Sequence, residues 1–217
     1  MSFSNADGKG ILLCMVRAIQ ENKDYLSEVD GLIGDGDHGV NMNKGFTIFE
    51  RRIEGESIAF SDGLEQLGMI LMNEIGGSMG PIYGTIFMEM ADAASGVGRI
   101  DAATLLRMLE SARDALYEII DARVGDKTLV DTLVPAINAL RDSVAAGGTF
   151  AESLEALRAA AQTGCQATKG LMAKYGRSAR LGERSIGVQD AGATSCWLLL
   201  SAMCDGIEFL LKEGGAA

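Results

Sequence analysis

Three carboxylates and the chain's only histidine crowd into residues 30–38, as Asp30 followed by Ile33-Gly34-Asp35-Gly36-Asp37-His38-Gly39-Val40-Asn41. Packing a core does not call for this. Carboxylates gathered on a flexible loop repel one another unless a cation sits between them, and hard oxygen donors suit Mg²⁺ or Ca²⁺ better than zinc. An EF-hand is the obvious rival, but with Asp35 as its first position the twelfth is Phe46, where that loop needs a bidentate Glu. A Mg²⁺ site of carboxylates completes its shell with water and phosphate oxygens, so the loop also points to a nucleotide. The bland alternative is a polar loop that caps a helix.

The elements that must position these residues are read from composition and periodicity. A chain of 217 residues that is 47% hydrophobic is predicted to form one domain, 1–217. Its net charge of −11 argues against nucleic acid or an anionic membrane as partner, because no basic face is available on the scale that phosphates require. Cys14, Cys165, Cys196 and Cys204 form no CxxC pair, and the first ten residues show no charged-then-apolar signal pattern. The expectation is a reduced, cytoplasmic, soluble protein, with no apolar run of the roughly 18 residues that a membrane span needs.

Apolar residues recur at three- and four-residue spacing almost throughout, with little strict alternation. Breaks at Gly, Asp and Asn predict eight helical segments, near 7–25, 39–53, 59–75, 80–96, 101–122, 128–146, 150–175 and 187–213. Asp101 and Ser61-Asp62 look like N-terminal caps, and Gly147-Gly148 and Gly176 look like stops. No repeat or linker interrupts the pattern, so the predicted architecture is all-α, an antiparallel up-and-down bundle.

In such a bundle alternate loops share an end, and the unusual sequences fall on the odd loops. Loop one holds the Asp cluster and loop three reads Gly76-Gly77-Ser78-Met79-Gly80-Pro81. Loop five reads Gly125-Asp126-Lys127-Thr128, and loop seven runs from Gly176-Arg177 through Arg184 to Asp190-Ala191-Gly192. Loop three would let backbone N–H groups converge on a phosphate at a helix N-terminus, although a tight glycine turn explains it equally well. Loop five lacks the spacing of a Walker motif, and Thr128 would cap the following helix with Leu129 as an apolar surface beside the cavity. Arg177 and Arg184 would clamp phosphoryl oxygens or simply be solvated.

Gly34-Asp35-Gly36-Asp37-His38-Gly39-Val40-Asn41-Met42, Gly76 to Thr85, Gly125-Asp126-Lys127-Thr128, and Gly176-Arg177-Ser178-Ala179 leading to Leu181-Gly182-Glu183-Arg184-Ser185 closely resemble the nucleotide-binding L subunit of two-chain dihydroxyacetone kinases. Four ordered motifs spread over nearly the whole chain make the resemblance specific. It implies an eight-helix antiparallel barrel with ADP or ATP and two Mg²⁺ ions at one end. By position, Asp30, Asp35 and Asp37 would hold the metals. His38, Gly39 and Asn41 would lie against the phosphates, with backbone donors from Gly77, Ser78 and Met79. Leu129 would flank adenine, and Arg177, Asp190 and Gly192 would complete the pocket.

The implied activity is transfer of a phosphoryl group to a small ketose held by a separate K subunit, with ATP or a phosphotransferase-system protein as the phosphoryl source. A nucleotide-loaded regulatory module is the alternative from another class. The chain departs from the family at Met79, where Ser is common, at Leu129, where Met is common, at Ala191, where Pro is usual, and at Arg180, where an aromatic residue is usual.

Overall fold

The computed structural model describes residues 1–214, so the last three residues of the expected 1–217 domain lie outside the described residues. Nine α-helices occur among them: α1 Lys9–Glu21, α2 Lys23–Ile33, α3 His38–Ile53, α4 Phe60–Glu74, α5 Met79–Ala93, α6 Ala102–Ile119, α7 Val130–Ala145, α8 Phe150–Ala167 and α9 Ala191–Gly214. Consecutive helices pack side by side from α3 to α9, and α1 closes the ring by packing on both α3 and α9. The result is the all-α up-and-down arrangement that the periodicity predicts, closed into the barrel that the resemblance implies, with α2 leaning on α3 and α9. The apolar stripes turn inward, where Met15, Met42, Phe46, Leu64, Met108, Leu133 and Ile207 are almost wholly buried.

The first predicted segment, 7–25, is instead two helices. Asn22 leaves helical geometry at φ −103°, and its Nδ2 donates to the Ala18 carbonyl at 2.8 Å, one of the acceptors that α1 leaves free at its end. The chain then turns a second, short helix, so Asp30 stands in the last turn of α2 rather than on a loop.

Several predicted caps also resolve differently. Asp101 caps α6 by accepting from the Thr104 N–H at 2.8 Å, as expected. Ser61 does not cap α4. Its N–H donates to Asn5 Oδ1 at 3.0 Å, and Asn5 Nδ2 donates back to its Oγ at 2.9 Å, so a residue from the chain's start satisfies that helix end. Gly147 follows the end of α7 with φ +76°, but α8 ends at Ala167, which leaves Gly176 inside loop seven. A two-residue antiparallel pair, β1 Phe3–Ser4 with β2 Arg99–Ile100, ties the chain's start to loop four.

Helix α9 is long and apolar enough over Ala191–Glu213 to cross a membrane by length and composition, with mean hydropathy 1.4, contrary to the expectation from sequence. In this fold it is a stave of the barrel, packed between α8 and α1.

Candidate functional site

Every second stave of the ring starts at the same end, so the N-termini of α3, α5, α7 and α9 converge there. Loops one, three, five and seven meet at that end around a cavity of about 510 Å³. The parity argument therefore holds. Four helix dipoles direct their positive ends and free N–H groups at this space, an arrangement that favours an anion.

On one wall Asp30, Asp35 and Asp37 bring carboxylate oxygens within 4.8 Å of one another. Asp30 is held by α2, while Asp35 and Asp37 ride the tight connection to α3, where Gly36 at φ +76° makes a turn that a side chain would strain. Burial first, and then the Asp35 carboxylate, raise the pKa of Asp37; Arg177 opposes them. Arg177 reaches across from loop seven to form an ion pair with Asp35. The donor set is all oxygen, acidic and crowded, which fits a hard divalent cation such as Mg²⁺.

Facing the aspartates, Gly76, Gly77 and Ser78 lead into α5, with Gly77 at φ +71°. Beyond them Ile82, Ile120, Ala122, Leu129 and Tyr175 give the cavity an apolar side. Gly192 allows a close approach there, since a Cβ on it would lie 3.1 Å from Asp190 Oδ2 and 3.6 Å from the Leu129 nitrogen. Asp190 caps α9 by accepting from the Ala193 N–H at 2.8 Å, and burial raises its pKa to about 6.

Asp30, Asp35, Asp37, His38, Asn41, Gly77, Ser78, Met79, Leu129, Arg177, Asp190 and Gly192 all line this one cavity. Gly39 does not line it. A Cβ there would stand 1.9 Å from the Lys23 carbonyl, so this glycine lets α3 press against α2. Arg184 is also off the wall, exposed on the 3₁₀ turn Ser178–Ser185. Thr128 caps the start of α7 as expected, its Oγ1 accepting from the Val130 N–H at 3.2 Å. Asp131 in turn accepts from the N–H groups of Thr128 at 2.8 Å and Gly125 at 2.6 Å, which fixes loop five from inside the helix.

Other residues in or behind the wall had no role assigned from sequence. Lys127, fully buried at φ +62°, donates to the Thr168 carbonyl at 2.6 Å and to the Val188 carbonyl, and so ties loop five to loop seven. Lys174 repeats the tie by pairing with Asp126 at 2.6 Å. Tyr83 lines the floor, and its Oη lies 2.7 Å from Ser195 Oγ, which in turn lies 2.8 Å from His38 Nε2. Burial lowers the pKa of His38 to about 4, so the imidazole is neutral near pH 7. The polar residues in the apolar runs Ile82-Tyr83 and Thr194-Ser195-Cys196 are the only sequence sign of this network.

A family model described as DAK2 domain matches residues 32–205. The chain is 37% identical over 183 residues to the PEP-dependent dihydroxyacetone kinase, ADP-binding subunit DhaL, of Escherichia coli (strain K12), covering 83% of this chain and 86% of that protein. It is 34% identical over 205 residues to the PEP-dependent dihydroxyacetone kinase 2, ADP-binding subunit DhaL, of Listeria innocua serovar 6a, with 91% and 93% covered. Among solved structures, the dihydroxyacetone kinase from C. freundii in complex with AMP-PNP and Mg²⁺ matches with a TM-score of 0.68 at 20% identity. That match covers 94% of this chain but only 34% of the larger one, and at this identity it speaks for the fold. The chain belongs to the DAK2 domain family, as one of the DhaL-type subunits of dihydroxyacetone kinases.

Proposed function

We propose that this chain holds nucleotide and two Mg²⁺ ions for a dihydroxyacetone-type kinase, and passes a phosphoryl group to a hydroxyl of a short ketose carried by a separate K subunit. The observation that carries the reading is the meeting of three carboxylates with four helix N-termini around one cavity. Acid alone would bind a metal and helix N-termini alone an anion; together they fit a metal-bound polyphosphate.

Bound there, Mg²⁺ would neutralise phosphate oxygens and favour in-line displacement. The chain's own residues do the rest. Asp30, Asp35 and Asp37 hold the metals, and the N–H groups at the starts of α3 and α5 face the phosphates. Leu129, Ile82 and Ala122 offer an apolar seat for the base. Arg177, which pairs with Asp35 and lines the cavity, would turn to a phosphate oxygen once a cation takes that carboxylate.

With a single His, the chain has no second imidazole to spare for a ketose, so the sugar site falls to the partner. The names of the relatives, PEP-dependent and ADP-binding, favour a retained ADP that a phosphotransferase-system protein rephosphorylates over exchangeable ATP. A cytoplasmic location goes with that partner set. A purely regulatory module would have less use for all three aspartates.

Calorimetric titration of Mg·ADP into the wild type, Asp35→Ala and Asp37→Ala tests the site, and mass spectrometry of nucleotide released on denaturation tests retention. Binding should be Mg²⁺-dependent in the wild type and lost in both variants. Unchanged affinity in the two would remove these residues from the metal site.

A further inference from the structure

Lys127 takes φ +62°, the left-handed backbone that, among the described residues, is otherwise left to glycine. A Cβ strains this conformation and glycine adopts it freely, so something the lysine side chain does must offset the strain. The side chain is fully buried, and its ammonium donates to the Thr168 carbonyl at 2.6 Å and to the Val188 carbonyl.

Those two carbonyls stand at the two ends of one excursion. Residues 169–187 leave the end of α8 and return towards α9, and within them Tyr175, Gly176, Arg177 and Ser178 line the cavity. The neck is narrow, because Thr168 Oγ1 accepts from the Asp190 N–H at 3.0 Å and the Gly187 N–H donates to the Lys169 carbonyl at 2.7 Å. Inside the excursion the buried Ser185 hydroxyl accepts from the Ala173 N–H at 2.9 Å and donates to the Gly182 carbonyl at 2.6 Å, which braces the stretch as one piece. Lys174 adds a second tie, pairing with the Asp126 carboxylate at 2.6 Å while its N–H donates to the Asp126 carbonyl at 3.2 Å. The excursion thus hangs from two adjacent residues of loop five, and Asp131 holds loop five to α7.

We propose that Lys127 is a positioning residue, a clasp whose ammonium closes the neck of residues 169–187 against loop five and so slows the departure of a bound nucleotide. The proposal rests on the nucleotide reading above. A nucleotide seated on Leu129 of loop five and reached by Arg177 of the excursion touches both, so any parting of the two loosens it. The ammonium is buried against backbone carbonyls and acts through the segments they belong to. A charged donor shared by two buried carbonyls makes a strong tie, since each carbonyl is left unpaired when the donor goes.

Stopped-flow displacement of a fluorescent ADP analogue in the presence of Mg²⁺ reads the clasp directly. In Lys127→Gly release should be about tenfold faster, with little change in the capture rate. Glycine relieves the backbone strain and leaves room for water to reach the two carbonyls, so the urea midpoint of the nucleotide-free chain should stay near the parent's. Hydrogen–deuterium exchange with Mg·ADP bound should quicken over residues 169–187 and not in the barrel helices. A lysine with only a structural role would lower the midpoint and leave release from the folded fraction unchanged. Lys174→Met removes the outer tie from a side chain that is 57% exposed, and should speed release in the same direction by a smaller factor. Should Lys127→Gly fail to fold, Lys174→Met decides by itself. Faster release in Lys127→Gly alone would assign the effect to the charge of the ammonium and overturn the clasp. Unchanged release in both variants, from a wild type that binds Mg·ADP, would overturn the clasp and leave the nucleotide reading standing. Failure of the wild type to bind Mg·ADP would sink that reading and the clasp with it.

Discussion

Asp190 and His38 are two residues whose ionisation the fold opposes in the same pH window with opposite signs. Burial lowers His38 from an ordinary 6.5 to about 4, so between those values the unfolded chain binds a proton that the folded one refuses, and stability rises with pH. Burial raises Asp190 from 3.8 to about 6, so in that window the folded chain binds the extra proton and stability falls as pH rises. The two trends offset each other. Asp190→Asn removes one of them, so the variant's unfolding free energy, relative to the parent's, should climb between pH 4 and 6. Urea melts of both proteins at pH 4.5 and 7.0 without metal check this, and a flat or falling difference would mean that Asp190 titrates normally. Legibility at this scale follows distance along the chain. Asp30, Asp35 and Asp37 could be read together because they lie within eight positions, a spacing that only local chemistry explains. Tyr83 and Ser195 could not be paired with His38, because each looks like an ordinary polar residue in an apolar helix until the ring closes. Lys127 was visible inside a loop motif, but nothing local announces that a lysine will take φ +62° and bury its amine on two carbonyls.

At the scale of single elements, the site depends on how closely α2 and α3 approach, because α2 carries Asp30 and α3 carries His38. Gly39 sets that approach. In Gly39→Ala the new methyl would meet the Lys23 carbonyl at 1.9 Å and the Ser27 nitrogen at 2.8 Å, and these are backbone atoms that can yield only if α2 shifts. The variant should lose roughly 1–3 kcal/mol of stability, and Mg²⁺-dependent nucleotide affinity should weaken even though the residue does not touch the cavity. Gly10→Ala in α1, where nothing lies within 4 Å, is the control and should stabilise by about 0.5–1 kcal/mol. Thermal melts with calorimetry decide, and equal behaviour of the two variants would refute the close-approach argument. Helix existence was legible from periodicity, while helix ends were not. The break at Asn22 turns on one side chain choosing the Ala18 carbonyl, and the start of α4 is satisfied by Asn5, 56 residues away. The first pair is local but looks like an ordinary helical Asn until the bond is seen, and no short window of sequence contains both partners of the second.

For the whole molecule, parity alone placed the odd loops at one end, because an up-and-down ring leaves no other choice once its staves are counted. Splitting the first stave into α1 and α2 did not disturb this, since the break falls inside one stave and adds no crossing of the barrel. What parity could not show is the character of the rim. Leu32, Val40, Ile119, Val124 and Ile186 are each about half exposed or more, and all lie on the loops or helix ends that surround the cavity. Apolar groups ringing a polar mouth are what a protein partner would cover, with exclusion of water from the mouth as a consequence. If a K subunit docks there, Ile119→Asp with Val124→Asp should weaken the complex tenfold or more while Mg·ADP affinity of the isolated chain stays unchanged, because neither residue lines the cavity. Phe209→Asp is the matched control. It is 61% exposed but stands near the far end of α9, away from the mouth. Sedimentation velocity with the cognate K subunit, in the presence of Mg·ADP, separates the cases. Weakening by Phe209→Asp with an indifferent rim would move the docking face to the side of the barrel, and the cavity would then have to be closed by this chain's own loops.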